Sequence, residues 1–293
     1  MLYYLFDYMN KAWDVPGVGV FRYLSFRAAA AMLLSLFLSL VVGKYMIRLL
    51  QKKQIGETIR DLGLQGQMEK KGTPTMGGLI IIMATLVPVL LLNRLDNIYV
   101  ILMIVTTVWL GCMGFIDDYI KVFKHNKNGM AGKFKVFGQM GLGLIVGLTM
   151  CYHPDIVVSQ KQMNQEYVEE HNVLNQNEYA KAQAIFEQNT EKALTTTIPF
   201  VKNSELDYSV ILTAFNKDWA KYSWMVFVLI VILVVTAVSN GANLTDGMDG
   251  LASGTSAIIG ATLGLLAWVS GNVIFADYLN IMYIPHTGEL VVF

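Results

Sequence analysis

Apolar positions in this chain fall in long uninterrupted runs rather than in a helical or strand alternation. Ala28–Gly43, Gly72–Asn93, Asn97–Ile116, Val136–Tyr152, Tyr222–Thr245 and Leu251–Ala276 each pass without one acid or base. A helix needs roughly 20 mostly apolar residues to cross about 30 Å of hydrocarbon, and these runs are of that order. Backbone groups in lipid must find partners within their own segment, so the runs predict helices and not open sheet. The pattern therefore predicts an all-α polytopic integral membrane protein with about six transmembrane helices.

The polar connections give these helices an orientation. The 51–73 connection carries Lys52, Lys53, Arg60, Lys70 and Lys71, and the 117–135 connection carries Lys121, Lys124, Lys127, Lys133 and Lys135, whereas the 94–96 turn has only Arg94. Basic loops stay on the cytoplasmic side, so 51–73 and 117–135 are predicted to be cytoplasmic. Parity then places the 246–250 turn on the same face, and the N-terminus, the 153–221 segment and the chain's end outside. Residues 1–27 are aromatic-rich, without the basic start and small-residue cleavage site of a secretory signal, and read as an interfacial lead-in with Arg27 able to reach the membrane surface. Residues 28–152 hold helices 1–4, and residues 222–276 hold helices 5 and 6. Between them, 153–221 has ten acids against six bases and reads as an exposed, partly helical extracytoplasmic insertion. Residues 277–293 form an outer loop and the truncated start of a next span.

Composition agrees with the pattern. The 293 residues are 54% hydrophobic and only 15% charged, with no net charge, which excludes an ordinary soluble domain; no nucleic-acid partner is expected. Cys112 and Cys151 lack metal-ligand spacing and read as packing residues. His125, His153, His171 and His286 are scattered, without the spacing of a zinc site. The pairs Gly143/Gly147 and Gly260/Gly264 fit close helix contacts better than a nucleotide loop.

Three polar constellations stand at the cytoplasmic ends of the runs. The first is GFIDDYIK, residues 114–121. As a helix, Ile98–Ile116 rises about 28 Å, which sets Asp117 and Asp118 at headgroup depth, with Lys121 three and four residues further on. The second is NGANLTDGMDG, residues 240–250, where Asn240, Asn243, Asp246 and Asp249 recur every third position and the two carboxylates lie between runs of 24 and 26 residues. Carboxylates placed there are costly unless they meet a metal, a base or a ligand. The third, KKGTPTMGG at 70–78, joins two lysines, Thr73, Thr75 and a helix-starting Pro74, a setting suited to phosphate. Four carboxylates, several lysines and a helix N-terminus on one face suit pyrophosphate chemistry assisted by a hard cation such as Mg²⁺.

These residues resemble the signature loops of the phospho-N-acetylmuramoyl-pentapeptide transferases of bacterial cell-wall synthesis. GTPTMGG at 72–78, GFIDDYIK with the downstream Gly132-Lys133, and NLTDGMDGLA at 243–252 match in order and on the expected face. The wider superfamily of polyprenyl-phosphate hexosamine-1-phosphate transferases shares the Asp pair and the DGxDG turn. The resemblance implies transfer of phospho-MurNAc-pentapeptide from its UDP carrier to undecaprenyl phosphate, giving lipid I and UMP with Mg²⁺, in the bacterial inner membrane. It implies that Asp117 is base or activator for the lipid phosphate, supported by Asp118, the pair also serving as metal ligands beside a main acidic ligand in the family's later part, beyond residue 293. Lys121 and Lys133 would hold phosphates. Lys70, Thr75, Asn243, Asp246, Gly247 and Asp249 would form the nucleotide-sugar side, with Asn240 beside them. A homodimer is left open. The family has ten spans and a shorter connection at 153–221, so the resemblance implies an N-terminal portion, inactive alone. Two rival readings are a sibling transferase using UDP-GlcNAc and a membrane transporter. The latter would place charges nearer the midplane.

Overall fold

The computed structural model describes residues 1–13, 15–52, 76–124, 126, 129–159, 190–192, 194–197, 205–213, 216–246, 250–279 and 281–293. Its helices are α1 (Leu2–Trp13), α2 (Leu24–Lys52), α3 (Gly78–Leu92), α4 (Ile98–Phe123), α5 (Gly132–Tyr152), α6 (Tyr208–Thr213), α7 (Ser223–Thr245), α8 (Leu251–Ser270) and α9 (Val273–Tyr278). Among the described residues, α2, α4, α5, α7 with the 3-10 turn before it, and α8 are long and apolar enough to cross a membrane. With this many spanning helices the chain is an all-α, multi-pass membrane protein.

The sixth predicted span, Gly72–Asn93, is represented by the 15 residues of α3, a rise of about 22 Å. Its predicted first residues, 72–75, lie outside the described ones. Conversely, α2 runs for 29 residues, well past Ala28–Gly43 at both ends, because the flanking Leu24, Phe26 and Leu49 continue the apolar run around a few polar positions.

The chain divides into two compact units, Met1–Gln139 with Val292–Phe293, and Met140–Val291. In the first unit, α2 and α3 lie side by side, and a Cβ on Gly43 would touch Ile80 at 3.5 Å. The turn from α3 into α4 is set by Asn97, whose side-chain oxygen accepts from the Tyr99 N–H at 2.9 Å, satisfying one of the helix's orphan donors. α3 then meets α4 where Gly111 leaves room for Ile82, whose Cδ1 would lie 2.6 Å from an added Cβ. Helix α1 closes over the α3–α4 turn: the Tyr4 hydroxyl donates to Asp96 at 2.7 Å and accepts from the Asp96 N–H at 3.1 Å. Arg27 does not reach outward as expected. It is 2% exposed with its guanidinium 4.8 Å from the centre of the Tyr3 ring, a cation–π contact that α1 supplies and that a pattern of apolar runs does not reveal.

In the second unit, α5 and α7 pack through the glycine pair at 143 and 147. A Cβ on Gly143 would come within 2.7 Å of the Ile232 Cα, and one on Gly147 within 3.3 Å of the Val228 Cα. Small residues let helix backbones approach, which substitutes in lipid for the missing hydrophobic drive between helices. The other pair, Gly260 and Gly264, makes no such contact: nothing described lies within 4 Å of an added Cβ. Of the 153–221 segment, two antiparallel ribbons are described, Val158–Ser159 with Thr190–Glu191 and Thr195–Thr197 with Glu205–Asp207, followed by α6. Most of the helical content expected there falls on residues outside the described ones.

Replacing Gly143 by Val is expected to destabilise the chain by about 1–3 kcal/mol through overpacking against the α7 backbone. Gly260→Val is expected to leave it unchanged. Thermal unfolding of both variants in detergent checks the contrast.

Candidate active site

Helix α4 does not stop where its apolar run stops. It continues through Asp117 and Asp118 to Phe123, so the i, i+4 geometry on which the pairing of Asp117 with Lys121 depends is present. Lys121 Nζ lies 2.7 Å from Asp117 Oδ2. The other oxygen has partners from beyond the helix: Lys135 Nζ at 3.0 Å and the Met130 N–H, which donates at 2.8 Å. The Asp117 side chain is 11% exposed, against 43% for Lys121 and 28% for Lys135. A carboxylate this enclosed needs its charge compensated and its lone pairs used, and the two ammonium groups and one amide do both.

The segment between α4 and α5 folds back to make this possible. The Asn126 N–H donates to the Ile120 carbonyl at 3.4 Å, and the Gly129 N–H to the Asn126 carbonyl at 3.0 Å. Gly129 then takes φ +66°, and a Cβ there would lie 2.5 Å from Asp117 Oδ1 and 2.7 Å from Lys121 Cε. Both the left-handed backbone and the lack of space call for glycine. The turn presents the next amide, that of Met130, to the carboxylate, and α5 follows with Lys135 in its first turn. Its register against α4 is held by the Trp109 indole N–H donating to the Gly138 carbonyl at 3.0 Å.

The end of the 70–78 motif also arrives here. Met76, in a left-handed conformation at φ 70°, is buried with Leu50 from the end of α2, and Val122, the residue after Lys121, packs against them. Three stretches of the first unit thus meet beside the Asp117 cluster. Lys70 and Thr75 themselves lie outside the described residues.

The remaining expected residues are placed as follows. Asp118 is half-buried on α4, and Lys133 is exposed at the start of α5, with no ion pair among the described residues. In the second unit, Asn240 donates its side-chain amide to the Thr236 carbonyl at 2.8 Å. Asn243 is exposed on the last turn of α7, and Asp246 caps that helix, its N–H donating to the Ala242 carbonyl at 3.2 Å. Gly247 and Asp249 lie outside the described residues. Gly250, at φ 79°, opens α8.

Sequence reading missed three participants. Lys135 stood only among the basic residues that orient the loop. Gly129 and the Met130 amide act through the backbone and leave no side-chain signature beyond a glycine in a polar loop.

For a divalent cation the donor set matters. Among the described residues no three His, Cys, Asp or Glu side chains come together to hold a metal. Asp117 does not fit a metal ligand as it stands: three of its roughly four acceptor positions are filled, two of them by cations that a divalent ion would have to displace.

Fold and site define a polytopic helical membrane protein with a carboxylate–lysine cluster at the end of one spanning helix. Two family models match it: glycosyl transferase family 4 over residues 191–292 and phospho-N-acetylmuramoyl-pentapeptide-transferase signature 1 over residues 70–82. Phospho-N-acetylmuramoyl-pentapeptide-transferases of Flavobacterium johnsoniae and Parabacteroides distasonis are 54% and 56% identical to it over the whole chain, 153–221 included, and the chain spans 70% and 67% of their lengths. That of Porphyromonas gingivalis strain W83 is 51% identical, again over the whole chain and 67% of the relative. The chain belongs to the phospho-N-acetylmuramoyl-pentapeptide-transferase family.

The Gly129→Ala variant is expected to lose about 1–3 kcal/mol of stability, since a left-handed non-glycine residue is strained and its Cβ would strike Asp117. Thermal unfolding in detergent, with Gly132→Ala as the control that meets open space, measures it.

Proposed function

We infer that this transferase moves phospho-MurNAc-pentapeptide from UDP-MurNAc-pentapeptide to undecaprenyl phosphate, and that the Asp117 cluster is where the lipid phosphate is received. Family membership carries the reaction: a polyprenyl phosphate and a nucleotide sugar meet at a membrane protein. The observation that carries the site is the enclosed carboxylate with ammonium groups on both oxygens, at the end of an apolar helix.

In the transfer, an oxygen of the lipid phosphate attacks the sugar-linked phosphorus of the UDP carrier. The bond from that phosphorus to the bridging oxygen breaks, and UMP leaves with the electron pair. Negative charge gathers on phosphate oxygens throughout, so fixed cations are the principal assistance a protein can give. Lys121 and Lys133 are proposed phosphate ligands, and Lys70 and Thr75 are proposed for the nucleotide-sugar side. Asp117 is the proposed base or activator: its three partners hold it in place and leave about one acceptor position, on Oδ2. Direct attack is the favoured course. Asn240, Asn243, Asp246, Gly247 and Asp249 are proposed to form the nucleotide-sugar side. Mg²⁺, with Asp118 as the proposed protein ligand, supplies charge neutralisation on the phosphates when bound. The lysines of 51–73 and 117–135 support a site on the cytoplasmic face of the bacterial inner membrane.

A sibling specificity for UDP-GlcNAc is disfavoured by the signature at 70–82 and by the relatives' names. Asp117→Asn is expected to lower turnover by about 10²–10⁴-fold, with the protein still folded, in an assay of lipid-linked product from undecaprenyl phosphate. Given both UDP-sugars in competition, the full-length enzyme is expected to consume UDP-MurNAc-pentapeptide. Preferential use of UDP-GlcNAc would contradict the assignment.

A further inference from the structure

We propose that Lys135 is a positioning residue of the transfer reaction, acting through the Asp117 carboxylate. The proposal rests on the reading of Asp117 as the base or activator for the lipid phosphate. Its own ground is the division of labour around the two oxygens.

Lys121 belongs to the same helix as Asp117, so its ion pair with Oδ2 moves with that helix and fixes nothing outside it. Lys135 comes from α5, and its Nζ meets Oδ1 at 3.0 Å. The Met130 amide meets the same oxygen at 2.8 Å. The carboxylate is thus drawn two ways, Oδ2 toward its own helix and Oδ1 toward α5 and the loop, and rotation about its Cβ–Cγ bond is blocked. Lys135 is the more enclosed of the two lysines, 28% exposed against 43% for Lys121, as suits a group whose partner is internal.

The α5 lysines divide accordingly. Residues two apart on a helix point to nearly opposite sides, about 200° apart. Lys133 is exposed and available to an incoming phosphate, while Lys135 turns inward to the carboxylate. Removing Lys135 would leave Oδ1 with the amide alone and free the carboxylate to follow Lys121. A carboxylate displaced by even an ångström from its reacting partner loses rate and not binding, because ground-state contacts to the substrates come from other groups.

The test uses the full-length enzyme in detergent, with UDP-MurNAc-pentapeptide and undecaprenyl phosphate each varied. Lys135→Met, with Lys135→Gln in reserve should Met fail to fold, is expected to lower kcat about tenfold or more with both KM values within about twofold. Lys135→Arg, which keeps the charge, is expected to recover most of the loss. In an Asp117→Asn background the Lys135→Met loss is expected to shrink to under about twofold, since residues that act through one another are not additive. The proposal is overturned by wild-type kcat in Lys135→Met, by a loss confined to KM, or by an undiminished loss in the Asp117→Asn background. Wild-type kcat in Asp117→Asn alone would instead overturn the reading of Asp117, whatever Lys135 does.

Discussion

A carboxylate at the end of an apolar helix is costly unless something compensates it, and this constraint organises the first half of the chain. Asp117 stands where α4 leaves its apolar run, and it is largely enclosed. Its cost is met by Lys121, Lys135 and the Met130 amide. Each partner makes a demand in turn: Lys121 requires α4 to continue past the oily stretch, the amide requires Gly129 in a left-handed turn, and Lys135 requires α5 to start within reach. Breaking a buried ion pair by removing one member costs more than the pair's net worth, because the other charge remains. The 117–135 connection is therefore tied to the helix it follows.

The same arrangement suits the chemistry of the family. Two ammonium groups around one carboxylate leave a surplus of positive charge at a position that α4 sets by its length, and the substrates bring phosphates. In the proposed reading helix length and lysine placement act together: the first would set depth, the second what kind of headgroup is welcome there.

Much of this was legible in the sequence, because a membrane span is a strong and simple signal. The runs ending at Tyr152 and Thr245 predict helices that end at those residues, and Lys121 follows from counting four positions along a helix. What escaped was tertiary. Arg27 finds an aromatic ring on α1, a contact no run of residues announces. Lys135 looked like one more basic residue of an orienting loop, since nothing local says that it turns inward while Lys133 turns out. Gly260 and Gly264 carry the same spacing as Gly143 and Gly147, yet among the described residues Gly143 and Gly147 meet another helix and Gly260 and Gly264 do not, so the spacing permits close approach without specifying a partner. Gly129 acts through its backbone, which leaves little trace in composition.

The central claim is that the apolar length of α4 holds Asp117 at the depth of the lipid phosphates. A spin label at position 116, an outward-facing neighbour 46% exposed, reports that depth directly when carried by Ile116→Cys with Cys112 and Cys151 changed to Ser. Electron paramagnetic resonance in liposomes, with relaxation agents partitioned between lipid and water, is expected to place the label within about 5 Å of the phosphate plane, close to the end of a run matched to the hydrocarbon thickness. A label near the bilayer midplane, or one fully in water beyond the headgroups, would contradict the account.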